Sequence, residues 1–311
     1  RVHMAHIGHP IIGDPVYGLR EIFDIPVGDA YVGRIVNPLG EPLDGKGPIE
    51  TTTRRSIFCD VPSVLERQPV TATFETGIKI LDLMIPIGKG QRELIIGDRM
   101  TGKTTILTDA ILSQKGRWVL CIYCLIGKSE SALNKVLQLF EEEGVMDYTI
   151  VVAATASMPA GQQYLAPYSA CSIGEYFMYK GRHVLAGFDD FTRHAWIYRQ
   201  ISLLLERSPG REAYPGDIFY LHSQMIERAA NLLQEKSGGS MTFLPIVETL
   251  QGDVTAYIPT NLISMTDGQV YLSTNLFSEG FKPAIDLGLS ISRIGSKVQW
   301  PAIKKLSGQL R

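Results

Sequence analysis

Gly97-Asp98-Arg99-Met100-Thr101-Gly102-Lys103-Thr104 lies between the apolar run Glu93-Leu94-Ile95-Ile96 and the stretch Thr105-Ile106-Leu107-Thr108-Asp109-Ala110-Ile111-Leu112. The first flank reads as a buried strand and the second as a helix, so the segment between them is a strand-to-helix turn. Its glycines let the backbone curl until successive N–H groups point at one spot, where the first turn of the helix adds unpaired donors and its dipole. Lys103 can reach terminal phosphates, and the Thr104 hydroxyl can hold a magnesium ion. In this setting the pattern G-x-x-x-x-G-K-[ST] points to phosphate binding.

Downstream, strand and helix patterns alternate. Trp118-Val119-Leu120-Cys121-Ile122-Tyr123-Cys124-Leu125 reads as a strand, and Ser129 as the cap of a helix with Leu133, Val136, Leu137 and Phe140 on one face. Thr149-Ile150-Val151-Val152-Ala153-Ala154 is a second buried strand, residues 161–177 are mostly helical in pattern, and Val184-Leu185-Ala186-Gly187-Phe188 is a third strand. This rhythm predicts an α/β fold with a mostly parallel sheet flanked by helices and joined by right-handed crossovers. Ligands of such sheets bind at the carboxyl ends of the strands. Asp189 closes the third strand, where it can orient the water shell of a magnesium ion held by Thr104, with Asp190 as the second candidate.

Upstream, Ile80, Leu83 and Met84 recur at helical spacing just before the phosphate-loop strand, and residues 31–45 read as a short strand followed by Gly/Pro turns. The first eighteen residues carry His3, His6 and His9 among helix-breaking glycines and prolines, which argues against a metal site there.

The chain has 311 residues, 45% hydrophobic and 20% charged, with a net charge of -2. That balance argues against general nucleic-acid or anionic-membrane binding, and no apolar run reaches the length of a membrane span. Cys121 and Cys124 have a metal-like spacing, but on a strand residues three apart face opposite sides. The four cysteines therefore read as buried thiols.

Several segments in order resemble the alpha subunit of F-type ATP synthase. They are Gln91-Arg92-Glu93-Leu94-Ile95-Ile96-Gly97-Asp98-Arg99, Gln163-Tyr164-Leu165-Ala166-Pro167-Tyr168, Tyr198-Arg199-Gln200-Ile201-Ser202-Leu203-Leu204-Leu205, Pro209-Gly210-Arg211-Glu212-Ala213-Tyr214-Pro215-Gly216-Asp217 and Gly288-Leu289-Ser290-Ile291-Ser292-Arg293-Ile294-Gly295. The likeness implies a RecA-like P-loop NTPase domain over residues 27–311, with the family's N-terminal barrel and C-terminal helical domain largely missing. Residues 1–26 are then a divergent or foreign leader, whose first eighteen residues resemble a motif of RluA-type pseudouridine synthases.

Carried over residue by residue, the resemblance makes Gly97, Asp98, Arg99, Met100, Thr101, Gly102, Lys103 and Thr104 the phosphate site for ATP or ADP. It puts Lys282 and Pro283 against the adenine, and Thr104 and Asp189 on the Mg2+ side. It also makes Arg293 an arginine finger that reaches the terminal phosphate in a neighbouring beta subunit. Catalytic relatives carry a glutamate where this sequence has Lys128, and lysine cannot act as a carboxylate base. Glu130, two positions on, would have to reach back. Met100 and Lys128 both replace glutamines of the family.

The resemblance thus implies a regulatory alpha-type subunit of a proton-transporting rotary ATP synthase, holding MgATP without splitting it. Its partners would be the beta subunit in an alternating hetero-hexameric ring, the gamma shaft and delta-type stalk subunits, with no nucleic acid and with membrane contact only through the complex. Its place would be the cytoplasmic face of a bacterial inner membrane or the equivalent organelle membrane, with looser nucleotide binding than a full-length subunit. The alternatives are a homomeric ring ATPase of the secretion or flagellar export type, and a truncated remnant that does not assemble.

Overall fold

The computed structural model describes residues 23–310. The leader motif of the first eighteen residues lies outside them. Eight strands form the main path of the central sheet: β1 (Ile35–Val36), β2 (Glu93–Gly97), β3 (Val119–Lys128), β4 (Thr149–Thr155), β5 (His183–Asp189), β6 (Ser240–Glu248), β7 (Gly268–Leu272) and β8 (Ile291–Ser292). Their order across the sheet is β8-β7-β2-β6-β5-β3-β4-β1, and the short strand Ala230–Asn231 pairs with β6. All pairings on the path are parallel except that of β7 with β8.

Helices cover both faces. On one lie α1 (Lys79–Met84), α2 (Lys103–Leu112) and α3 (Glu130–Glu142). On the other lie α4 (Ala160–Tyr179), α5 (Phe191–Leu204), α6 (Ile218–Ile226) and α7 (Tyr257–Met265). The division follows from handedness. The chain leaves β2, crosses outward to β3 and β4 over α2 and α3, then returns to β5, β6 and β7 over α4 to α7. Right-handed crossovers running in opposite directions must lie on opposite faces.

The strands are buried on both sides, which is why they read as unbroken apolar runs. Along β3, Leu120, Ile122, Cys124 and Ile126 enter the core beneath α4 and α5, while Val119, Cys121, Tyr123 and Leu125 enter the core beneath α2 and α3. Cys121 and Cys124 therefore occupy different cores, as strand alternation requires. Among the described residues no group of three or more His, Cys, Asp and Glu side chains is placed to hold a metal ion. Cys59 is half-buried rather than buried, and its thiol donates to the Ser56 carbonyl at 2.8 Å.

Ser129 caps α3 as expected, accepting from the Ala132 N–H, and Leu133, Val136 and Phe140 are buried. Each such burial stabilises the fold by roughly 1.5–3 kcal/mol. The strand expected from Tyr31 is shorter than its pattern. Asp29–Tyr31 forms a single 3-10 turn, Gly33 bends the chain at φ 80°, and only Ile35–Val36 joins the sheet. Tyr31 is fully buried there, and its hydroxyl donates to the Gly40 carbonyl at 2.8 Å. The end of the expected leader is part of the fold: Asp24–Pro26 pairs with Arg54–Ser56, and Ile25 is 1% exposed.

β5 and α2 approach unusually closely. A Cβ on Gly187 would stand 2.2 Å from Leu107 Cδ1, so the absent side chain lets the phosphate-loop helix settle onto the sheet. That contact brings the start of α2 level with the carboxyl ends of β3 and β5.

Candidate nucleotide site

Gly97 ends β2, and the chain turns through Met100 at φ 62° and Gly102 at φ 96° before α2 begins at Lys103. Gly102 is the residue for which that conformation is free of strain. Asp98 anchors the loop. It accepts from Thr249 Oγ1 at 2.6 Å, from the Gly252 N–H at 2.9 Å and from Thr274 Oγ1 at 3.0 Å, tying the loop to the exit of β6 and to α8 (Thr274–Ser278). Burial works against the Asp98 carboxylate, yet these donations hold its pKa below the usual value.

Met100 is 90% exposed and contributes only its backbone to the curl. The Lys103 side chain is buried and donates to the Asp98 carbonyl. Desolvation lowers its pKa, while Glu248 and Asp190 pull the other way. Gly102 caps α2 with no side-chain hydrogen bond, and a Cβ there would meet nothing within 4 Å. The first turn of α2 is thus left without a side-chain cap, which suits a phosphate.

Thr104 and Asp189 meet as the sequence suggested: Thr104 Oγ1 donates to Asp189 Oδ2 at 2.8 Å. The Tyr123 hydroxyl donates to the same oxygen at 2.9 Å, and burial raises its pKa well above normal. Lys128, at the end of β3, donates to Asp189 Oδ1 and lies 3.2 Å from Thr104 Oγ1. The Thr104 and Asp189 oxygens thus have the chemistry of a magnesium pair, but an ammonium rests on both.

The peptide between Asp189 and Asp190 is cis. Asp190 caps α5, accepting from the Arg193 N–H at 2.8 Å, while its other oxygen has no hydrogen-bond partner and sits 3.7 Å from Arg193 Nε. Burial, and then the charge of Asp189, push its pKa up to about 7. Glu130 turns outward and accepts from Ser157 Oγ at 2.9 Å.

Lys282 and Pro283 are exposed in the loop after α8, whose start is held to Asp98 by Thr274. The Lys282 ammonium lies 5.5 Å from the centre of the Phe277 ring. Both residues stand at the phosphate-loop edge of the sheet, because Ser273, next after β7, donates to the Ala284 carbonyl at 2.9 Å.

Arg293 is elsewhere. It is exposed and follows β8 at the amino edge of the sheet, where Ser292 pairs with Gly268 and Gly268 pairs with Glu93, the first residue of β2. The Arg293 N–H donates to the Asp267 carbonyl at 2.8 Å, and Arg92 clasps the Asp267 carboxylate at 2.8 Å.

Sequence reasoning missed two groups at the site. Glu248 ends β6 beside the loop and pairs with Arg99 at 3.1 Å; an acid closing an apolar strand run was the available signal. Tyr123 gave no signal in advance, since its partner Asp189 is 66 residues away.

A phosphate loop at the carboxyl edge of a parallel sheet, with an acidic strand end beside its threonine, defines a P-loop nucleotide-binding domain. Residues 77–292 match the model of the ATP synthase alpha/beta family, nucleotide-binding domain, and the chain belongs to that family. The similar proteins include the ATP synthase subunit alpha of Clostridium botulinum strains Alaska E43, Eklund 17B and Langeland. Each is 56% identical over 299 residues, covering 96% of this chain and 59% of the relative. The chain thus spans about three fifths of the length of these relatives. Its likeness is to the alpha subunit, as the motifs implied.

Proposed function

We propose that this chain is the regulatory, nucleotide-holding alpha-type subunit of a proton-transporting rotary ATP synthase. It binds ATP or ADP at residues 97–104, with the base against Lys282 and Pro283. It does not hydrolyse what it holds, and it donates Arg293 to a neighbouring beta-type subunit. Its other partners would be a gamma shaft and delta-type stalk subunits in an alternating ring. Among the described residues no helix is long and apolar enough to cross a membrane, which is in keeping with attachment at a membrane face through the complex. The domain assignment is part of this proposal, with the nucleotide-binding unit over residues 27–311 and Asp24–Pro26 joined to it by pairing with Arg54–Ser56.

The observation that carries the reading is Lys128. It stands where a hydrolytic relative would carry a carboxylate, and its ammonium is turned onto Asp189. Glu130 turns outward to Ser157 and Glu248 pairs with Arg99, so neither takes the place that Lys128 fills beside Thr104. The resemblance puts a magnesium ion on Thr104 and Asp189, but both side chains are taken by the Lys128 ammonium, which does not fit a divalent cation beside them. A second reading, hydrolysis in a homomeric ring, draws on Asp190, whose pKa of about 7 is that of a poised base.

The position of Arg293 supports donation in trans, because it leaves this chain's own phosphate loop beyond reach. A planar, always-charged guanidinium suits the spread charge of a phosphoryl transition state, and such fingers contribute on the order of 10³–10⁵ in rate. The test is a ring reconstituted with a beta-type subunit and a shaft. Arg293→Ala should cripple turnover while nucleotide stays bound to this chain, and Lys103→Ala should release that nucleotide while much of the turnover survives. Full turnover with Arg293→Ala would overturn the proposal.

A further inference from the structure

The geometry points to Lys128 as a tethered cation that takes the place of magnesium at this phosphate site, so that the chain binds nucleoside triphosphate without needing a divalent ion. The inference rests on the reading of residues 97–104 as the phosphate site, and extends it to the form of nucleotide bound.

Three observations carry it. The Lys128 ammonium reaches both Asp189 Oδ1 and Thr104 Oγ1, the two side chains available to a metal beside the loop. Asp189 is fully buried and has no spare oxygen, since Oδ2 already accepts from Thr104 at 2.8 Å and from Tyr123 at 2.9 Å. A hydrated magnesium ion would therefore have to displace an ammonium from a buried carboxylate. Tyr123 is locked in the core of β3 against Phe140, with ring centres 5.7 Å apart, so the arrangement is built from fixed elements.

The charges agree. Lys103 and Lys128 both face the cradle, Lys103 on the Asp98 carbonyl and Lys128 on Thr104 Oγ1, and Arg99 offsets Glu248 at its rim. Two ammonium groups and a helix N-terminus suit a multiply charged phosphate chain without a metal, whereas adding a divalent cation beside them brings like charges together. The register that pairs Leu125 with Asp189 makes this possible, because it sets the last residue of β3 above the last residue of β5. Lys128 follows a bulge in the pairing with β4, which re-aims its side chain.

The test is isothermal titration of the purified chain with ATP, in EDTA and again in excess Mg2+, for the wild type and for Lys128→Gln. The wild type should bind with affinities within about threefold of each other in the two buffers. Lys128→Gln should weaken about tenfold or more in EDTA and recover with Mg2+, and Lys128→Arg should keep most of the binding in EDTA. A wild-type affinity that falls about tenfold or more when Mg2+ is withdrawn would overturn the inference while leaving the phosphate site intact. Absence of ATP binding in both buffers would overturn the phosphate-site reading itself, and this inference with it.

Discussion

Arg293 and Lys103 stand at opposite ends of the same strand ladder. Arg293 extends the pair in which Ser292 faces Gly268 and Gly268 faces Glu93, whereas Lys103 follows the loop that leaves Gly97 at the other end of β2. Four residue steps along β2 amount to roughly 13 Å, beyond the reach of an arginine side chain. Arg293→Ala should therefore leave ATP affinity of the isolated chain within about twofold of wild type, by titration calorimetry. A large loss would put Arg293 at its own chain's nucleotide.

The backbone of Arg293 is anchored to Asp267, and that anchoring can be tested. Asp267 accepts from the Arg293 N–H through its carbonyl, and its carboxylate is clasped by Arg92 Nε at 3.0 Å and Nη2 at 2.8 Å. Asp267→Ala should lower turnover of a reconstituted ring by about tenfold or more, without the full loss expected of Arg293→Ala. Nucleotide binding to this chain should stay unchanged. Equal turnover in the variant and the wild type would show that the clasp does not position the finger.

Lys103 is buried with its ammonium on the Asp98 carbonyl, ready to exchange that partner for phosphate. A charge-assisted hydrogen bond of this kind contributes roughly 1.5–3 kcal/mol, so Lys103→Ala should cost about ten- to a hundredfold in ATP affinity. The rise in melting temperature with ATP concentration should disappear with it. An undiminished thermal shift would place the nucleotide elsewhere.

Gly187 shows how the sheet sets the loop. A Cβ there would meet Leu107 Cδ1 at 2.2 Å and push α2 off β5. Gly187→Ala should destabilise the chain by about 1–3 kcal/mol, and adding Leu107→Ala should recover part of that loss. The readout is denaturant unfolding of both variants. Strict additivity would mean that the two residues do not meet.

Acid sensitivity should trace to a buried histidine pair. His194 Nε2 faces the Tyr164 carbonyl at 3.0 Å and so carries the proton, which leaves Nδ1 to accept from His222 Nε2 at 3.2 Å. Burial holds the His194 pKa down to about 4 against an ordinary 6.5, and holds His222 well below its ordinary value too. Between those limits the unfolded chain binds protons that the folded chain refuses, so stability falls as pH drops from about 6.5 towards about 4. For His194 the loss is on the order of 3 kcal/mol. Asp190 acts in the opposite direction. With its pKa raised to about 7, the stability it contributes is greatest in acid and is lost as pH rises through 7. The wild type should therefore lose melting temperature in acid more steeply than His194→Gln. Parallel curves would exclude His194 as the cause.

The parts of this fold that could be read in the sequence are those whose signal is local. Thr149–Thr155 and His183–Asp189 are buried on both faces, so their apolar runs announce them, and residues 97–104 carry a phosphate-loop pattern between a strand and a helix. The short strand Ile35–Val36 is harder, because the aromatic and apolar residues before it fill the core from a 3-10 turn. Lys128 was legible as the absence of a carboxylate. Its partner was not, since only the register between β3 and β5 brings it to Asp189, 61 residues away. The mooring of the loop through Asp98 was hidden for the same reason: Thr249 and Thr274 lie 151 and 176 residues further along.

The most direct test of a holding, non-hydrolysing site is to mix the purified chain with labelled ATP and magnesium, remove free nucleotide, and identify what stays bound. Retained, uncleaved ATP is the expected result, lost in Lys103→Ala. Bound ADP with steady phosphate release, abolished by Lys103→Ala, would contradict it and would point to Asp190 as the base.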